Sequence, residues 1–266
     1  LSHSREAIEN LIKKHITTDF NKEEIKKVEK LIDTVKICDP AIGSGAFPMG
    51  LLQEISGLKA VFHFALDKKP EDWKPAAVKQ AIIQNSIYGV DIEKGAVDIA
   101  QLRFWLSLIV DEEEPKPLPN LAYKIVVGNS LVSKFGDEII EIDWKVEEGA
   151  QKNLFGNYYQ EEIQELLKQI SNKQKEYFTA NNSNKPRLTK EIRLLKLNIL
   201  SKQLELMINT KGFEKVGSQR LSKTQTERWL ETEGWKRTLQ KVNGLKTNNM
   251  TFNHFDWCSD FPEILF

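Results

Sequence analysis

An acid, a proline and two closely spaced glycines follow one another in Asp39-Pro40-Ala41-Ile42-Gly43-Ser44-Gly45-Ala46-Phe47. Glycine lacks a Cβ, so the backbone can turn sharply there and a ligand can approach it closely. A short apolar run precedes the stretch and a helix-like pattern follows it. The free N–H groups and positive end of that helix would face the turn. Asp91 closes a second apolar run, Ser86-Ile87-Tyr88-Gly89-Val90, and Asn129 follows a third, which ends at Val127. Parallel sheets bind ligands at the carboxyl ends of their strands. There, Asp39 could accept from a cationic or N–H-bearing group, Asp91 could take the two hydroxyls of a ribose, and Asn129 could meet an adenine edge. Together they outline a nucleoside-shaped site. Taken singly, each has a plainer reading: a tight turn for the glycines, a helix cap for Asp91 and a turn residue for Asn129.

Two other nucleotide-binding patterns fit poorly. The nicotinamide fingerprint needs a third glycine and an acid about 20 residues on. Here Pro48 occupies the third glycine position and Asp91 comes 46 residues after Gly45 (91 − 45). A phosphate-binding P-loop needs a G-K-[ST] ending, which this text lacks.

The elements that must position these residues follow from periodicity. Apolar residues at three-and-four spacing predict two amphipathic helices within residues 4–32, the second capped by Asp19 or by Asn21 with Glu24. Strands are predicted at 35–38, 86–91 and 123–127, with helices at 46–59, 76–84 and 94–111. This alternation predicts a parallel, doubly wound α/β sheet. After about residue 145 the character changes. Residues 161–177 and 188–208 carry long charged helical patterns, separated by the breaker at 180–186, and predict a helical hairpin. A third helix is predicted near 224–242. The expected organisation is an α/β part with N-terminal helices over residues 1–145, a helical insertion over 150–245, and a return to the α/β part over 250–266.

The 266 residues carry 38 basic and 38 acidic side chains, so overall charge neither demands nor excludes a nucleic-acid partner. No apolar run is long enough to span a bilayer. Cys38 and Cys258 are too few for a disulfide framework or a zinc site, and Cys38 reads as a small buried side chain. The expectation is a cytoplasmic protein with no membrane association and no metal.

The glycine stretch resembles the first motif, D-P-A-C-G-S-G-x-F, of DNA adenine-N6 methyltransferases. Ile87-Tyr88-Gly89-Val90-Asp91-Ile92 resembles their second motif, and Val127-Gly128-Asn129-Ser130-Leu131 their third. The flanking text is similar to methylase subunits of type II and type IIG restriction-modification systems. The resemblance covers about residues 35–135 and returns at Phe255-Asp256-Trp257 and Phe261-Pro262-Glu263.

The resemblance implies a partial Rossmann-like class I methyltransferase sheet. It also implies S-adenosyl-L-methionine as cofactor and DNA as the partner of the full-length protein. By position, Asp39, Pro40, Ala41 and the turn Gly43, Ser44, Gly45 and Phe47 would hold the methionine part. Asp91 would take the ribose hydroxyls, Ile92 would pack on the adenine ring, and Asn129 with Ser130 would meet the adenine edge. The family more often has Asp at the Asn129 position and Cys at the Ile42 position.

The catalytic text [DN]-P-P-[YF] is absent from the sequence, as is the upstream F/Y-Y-T-P text, so the expectation is a cofactor-binding piece of a longer enzyme, inactive alone. Such a piece would leave the first strand at an exposed sheet edge, covered by the 255–266 tail or by another copy. Lys185, Arg187, Lys190, Arg193 and Lys196 cluster along the hairpin, either as a solvated face or as a DNA-backbone contact. Two other functions remain open: methyl transfer to RNA or a protein amide, and a non-catalytic scaffold whose hairpin binds a partner subunit.

Overall fold

The chain begins with two helices whose starts are set by side chains. In α1 (Arg5–Lys14) Ser4 Oγ accepts from the Ala7 N–H. In α2 (Lys22–Thr34) Asn21 Oδ1 accepts from the Glu23 and Glu24 N–H groups, and the Glu24 carboxylate accepts from the Asn21 N–H at 3.0 Å. This reciprocal box satisfies donors that a helix start otherwise leaves unmade. A computed structural model of the chain describes residues 3–112, 114, 116–135, 138–139, 154–215, 217, 221–248 and 254–265. It divides into two units, Leu1–Val127 and Gly128–Phe266.

The first unit is built on three parallel strands, β1 (Ile37–Asp39), β2 (Ile87–Asp91) and β3 (Ile125–Val127), in the order β1-β2-β3. Ile37 pairs with Ile87, and Asp91 with Val127. Central β2 is the most buried strand, with Ile87, Tyr88 and Val90 almost fully buried, as a strand covered on both faces must be. The helices α3 (Ala46–Ala65) and α4 (Pro75–Ser86) connect β1 to β2, and α5 (Lys94–Ile109) precedes β3. This is a partial Rossmann-like sheet. β1 has one strand neighbour among the described residues, and its Ile37 and Cys38 are half-buried. Helix α3 runs beyond the predicted 46–59 because nothing breaks it before Asp67, which takes a left-handed φ of 54°. Its Leu58 and Phe62 close a core with Ala7, Leu11, Phe20 and Ile25.

The second unit is mostly helical. A small antiparallel hairpin, β4 (Lys134–Phe135) with β5 (Glu138–Ile139), precedes α6 (Leu154–Phe178), α7 (Lys185–Lys211) and α8 (Lys223–Thr247). α6 and α7 form the predicted hairpin, with Ile163, Leu167 and Ile170 buried on one helix and Leu197, Leu200 and Leu204 on the other. Phe135 and Val242 join the α7 leucines in one core, with Trp235 packed against it. Two short helices, α9 (Trp257–Asp260) and α10 (Pro262–Leu265), complete the unit and pack on α6. Among the described residues, no helix is long and apolar enough to cross a membrane, and no group of metal-ligating side chains could hold an ion.

Candidate functional site

Asp39 ends β1, and its Oδ1 accepts from the Ala41 N–H at 3.1 Å, which bends the chain out of the strand. The Ile42 N–H then donates to the Val90 carbonyl on β2 at 3.0 Å, and Gly45 donates back to Ile42 at 2.9 Å. Gly43 and Gly45 take left-handed φ values of 53° and 81°, which residues with a Cβ adopt at a cost of about 1–2 kcal/mol. Gly45 has a second reason to be glycine: a Cβ there would lie 3.0 Å from the Ala100 Cβ on α5. At Gly43 a Cβ would meet nothing within 4 Å, so the space over the turn is open. Ile42 is buried, and Gly89 makes its seat; a Cβ at Gly89 would fall 2.2 Å from Ile42 Cδ1.

Asp91 ties this turn to the second strand. Its Oδ2 accepts from the Gly43 N–H at 2.8 Å and its Oδ1 from the Glu93 N–H at 2.9 Å. Each carboxylate oxygen has two lone pairs, so each retains one for a further donor such as a hydroxyl. Gly45, the N-cap of α3, offers no side-chain cap, so the first N–H groups of the helix face the open turn. Phe47 and Ile92, 62% and 71% exposed, flank the turn with apolar surface. Pro40 and Ala41 are exposed, and Ser44 is half-buried. Open space over a glycine turn, spare carboxylate lone pairs, unmade helix N–H groups and exposed apolar side chains together could receive a ligand that carries both hydrogen-bonding groups and apolar surface. Burial, with the neighbouring Asp39 charge, pushes the Cys38 thiol up to about 11, so it is no nucleophile at neutral pH.

The third predicted position lies in the second unit, where residues 128–133 form a loop. Asn129 Oδ1 accepts from the Leu131 and Val132 N–H groups at 2.9 and 3.0 Å, which turns the amide so that Nδ2 is its outward donor. The Ser130 carbonyl accepts from Trp257 Nε1 at 3.0 Å, and Ser133 Oγ donates to the Phe255 carbonyl at 3.4 Å. Phe255 lies flush on Gly128, where a Cβ would come 2.4 Å from the Phe255 Cβ.

Comparison with known proteins identifies the family. Residues 85–264, more than half of the chain, match the family described as Eco57I restriction-modification methylase. The chain belongs to that family. It is also 38% identical over 117 residues to a Methanocaldococcus jannaschii protein whose name describes a type II restriction enzyme and methyltransferase. That match covers 42% of this chain and 10% of the relative, so the chain spans a small part of the relative's length. No solved structure matches.

The methylase match takes in Asp91, Ile92, Asn129, Ser130 and the 254–264 segment, while the glycine turn at 39–47 lies before it. Within the first unit the structure brings Asp39, Gly43, Gly45 and Asp91 into one turn. Asn129 and Ser130 belong to the second unit. Sequence reading did not find Gly89, Trp257, Lys196 or Asp260 as supports; the available signals were the glycine inside the second motif and the Phe255-Asp256-Trp257 text. The hairpin cations are largely engaged within the unit. Arg187 pairs with Glu176 and Glu191, each at 3.1 Å, Arg193 donates to the Leu245 and Asn248 carbonyls, and Lys196 pairs with Asp260 at 2.7 Å.

Proposed function

We propose that this chain is the S-adenosyl-L-methionine-binding part of a DNA methyltransferase that methylates N6 of adenine in a restriction-modification system. In this reading Asp39 and the turn Gly43, Ser44, Gly45 and Phe47 hold the methionine part. Asp91 takes the ribose hydroxyls on its remaining lone pairs, and Ile92 covers one face of the adenine. Asn129 offers its Nδ2 donor to an adenine ring nitrogen. The observation that carries the reading is the Asp91 carboxylate, which joins the glycine turn to the end of β2 while keeping acceptor capacity. The sequence lacks the [DN]-P-P-[YF] text, so the isolated chain is expected to bind cofactor without transferring methyl to DNA. Self-association through the β1 edge belongs to the same reading, and sedimentation at several concentrations checks it.

Calorimetric titration with S-adenosyl-L-methionine and S-adenosylhomocysteine tests the site. The unaltered chain should bind both. Asp91→Ala removes the ribose acceptor together with both backbone ties and should abolish binding. Asp91→Asn keeps one acceptor and should weaken binding by about 10- to 100-fold, the worth of a hydrogen bond to a charged group. If the unaltered chain takes up neither ligand, or Asp91→Asn binds as well as the parent, the reading fails.

A further inference from the structure

The helical insertion carries a buried charge whose partner does not lie in the hairpin. Lys196 Nζ, on α7, sits 2.7 and 2.8 Å from the two Asp260 oxygens and 3.2 Å from the His254 carbonyl. The two side chains are 11% and 7% exposed. A buried ion is tolerable only when paired and further hydrogen-bonded, and this one is. Asp260 Oδ2 also accepts from the Asp256 N–H at 3.0 Å, while Asp256 Oδ1 accepts from the Cys258 and Ser259 N–H groups. Gln174, on α6, donates to the Asp260 carbonyl at 3.1 Å. Both hairpin helices therefore grip the 256–260 turn by its polar groups.

The same turn grips the loop at 128–133. Trp257 donates to the Ser130 carbonyl, and Phe255 rests on Gly128. Phe255, Trp257 and Phe261 form an aromatic cluster with ring centroids 5.1–5.9 Å apart. A continuous series of contacts runs from Lys196 through Asp260 and Trp257 to the backbone beside Asn129.

We propose that the helical insertion sets the geometry of the Asn129 loop, and that Lys196, Asp260 and Trp257 are positioning residues for cofactor binding. This rests on the reading of Asn129 given above. A loop with its own side-chain carbonyl committed inward has the Nδ2 amide group as its outward donor, so its aim depends on the backbone that carries it. The backbone carbonyl of the next residue is the atom that Trp257 fixes, from a turn that the insertion holds through Lys196 and Gln174.

The test compares three variants of the 266-residue chain. Trp257→Phe keeps the ring packing and removes the N–H. Lys196→Met removes the buried cation. Lys173→Met breaks the 2.9 Å pair with Glu191, which joins α6 to α7, and controls for a weakened hairpin. Two quantities are read: amide hydrogen exchange in peptides covering residues 128–135, and calorimetric affinity for S-adenosylhomocysteine. Trp257→Phe and Lys196→Met should speed exchange in the loop and weaken binding by about three- to tenfold, the worth of one net hydrogen bond. Lys173→Met should change neither. Because Trp257→Phe should keep its thermal midpoint, it still decides the matter if Lys196→Met folds poorly. Unchanged affinity in Trp257→Phe, with or without faster exchange, overturns the proposal. Absence of binding by the unaltered chain overturns the reading of the site itself and takes this inference with it.

Discussion

The glycine turn of the first unit and the Asn129 loop of the second are secured by different means. In the first, backbone meets backbone or a single carboxylate: Ile42 to Val90, and Gly43 to Asp91. In the second, side chains arrive from far along the sequence, 127 residues away for Trp257 and 122 for the Ser133–Phe255 contact. Both seat a large side chain on a glycine, Ile42 of the turn on Gly89 and the distant Phe255 on Gly128 of the loop. The seats differ in tolerance. At Gly89 the nearest obstacle is the far end of an isoleucine, which can rotate. At Gly128 it is the Phe255 Cβ, which moves only with its backbone. A turn tied by neighbouring strands can absorb a side-chain adjustment, whereas a loop latched by a distant aromatic cannot.

The largest expected effect breaks the latch. Gly128→Ala should destabilise the second unit by about 3 kcal/mol, the upper end for overpacking, read as a lower urea midpoint by tryptophan fluorescence. Gly89→Ala should be milder, about 1–2 kcal/mol, with Ile42 displaced from its seat. If the two losses come out equal or reversed, the contrast between rotatable and fixed neighbours is wrong. The smallest effect concerns the cysteines, each close to an acid. Burial and Asp39 raise the Cys38 thiol, and burial with Asp256 raises the Cys258 thiol further. At pH 8 both should alkylate slowly with iodoacetamide. As the pH approaches 11, Cys38 should react first. Since the folded thiol holds its proton more tightly than an ordinary thiol at 9.0, the stability contributed by Cys38 is whole below pH 9 and drains away through about pH 11.

What the sequence made legible was local or periodic. Asn21 with Glu24 announced the cap of α2, and the structure contains that box. Three apolar runs ending in polar residues announced the strands, while their order β1-β2-β3 is a finding of the structure. The α6–α7 hairpin followed from leucine spacing and a clear breaker, although both helices run longer than the apolar pattern alone required. What was hidden depends on partners distant in the chain. Lys196 reads as one more cation in a basic cluster, because nothing within a helical turn of it discloses Asp260, 64 residues on. The two-residue strands β4 and β5 are too short to leave a periodic signal. The ring of His254 lies 6.1 Å from that of Phe135, a contact between residues too distant in the chain for local spacing to disclose.

The span of the Trp257 contact also has a meaning in time. A ribosome adds about 5–20 residues each second. Asp91 emerges about 2–10 s after Gly43, given the 48 residues between them. Trp257 emerges about 6–25 s after Ser130, 127 residues later. During that interval the exposed Leu131 and the uncovered Gly128 have only the loop's own Asn129 contacts to restrain them. An interrupted translation product ending before Phe255 contains every residue that ties the glycine turn and none of the downstream groups that latch the loop.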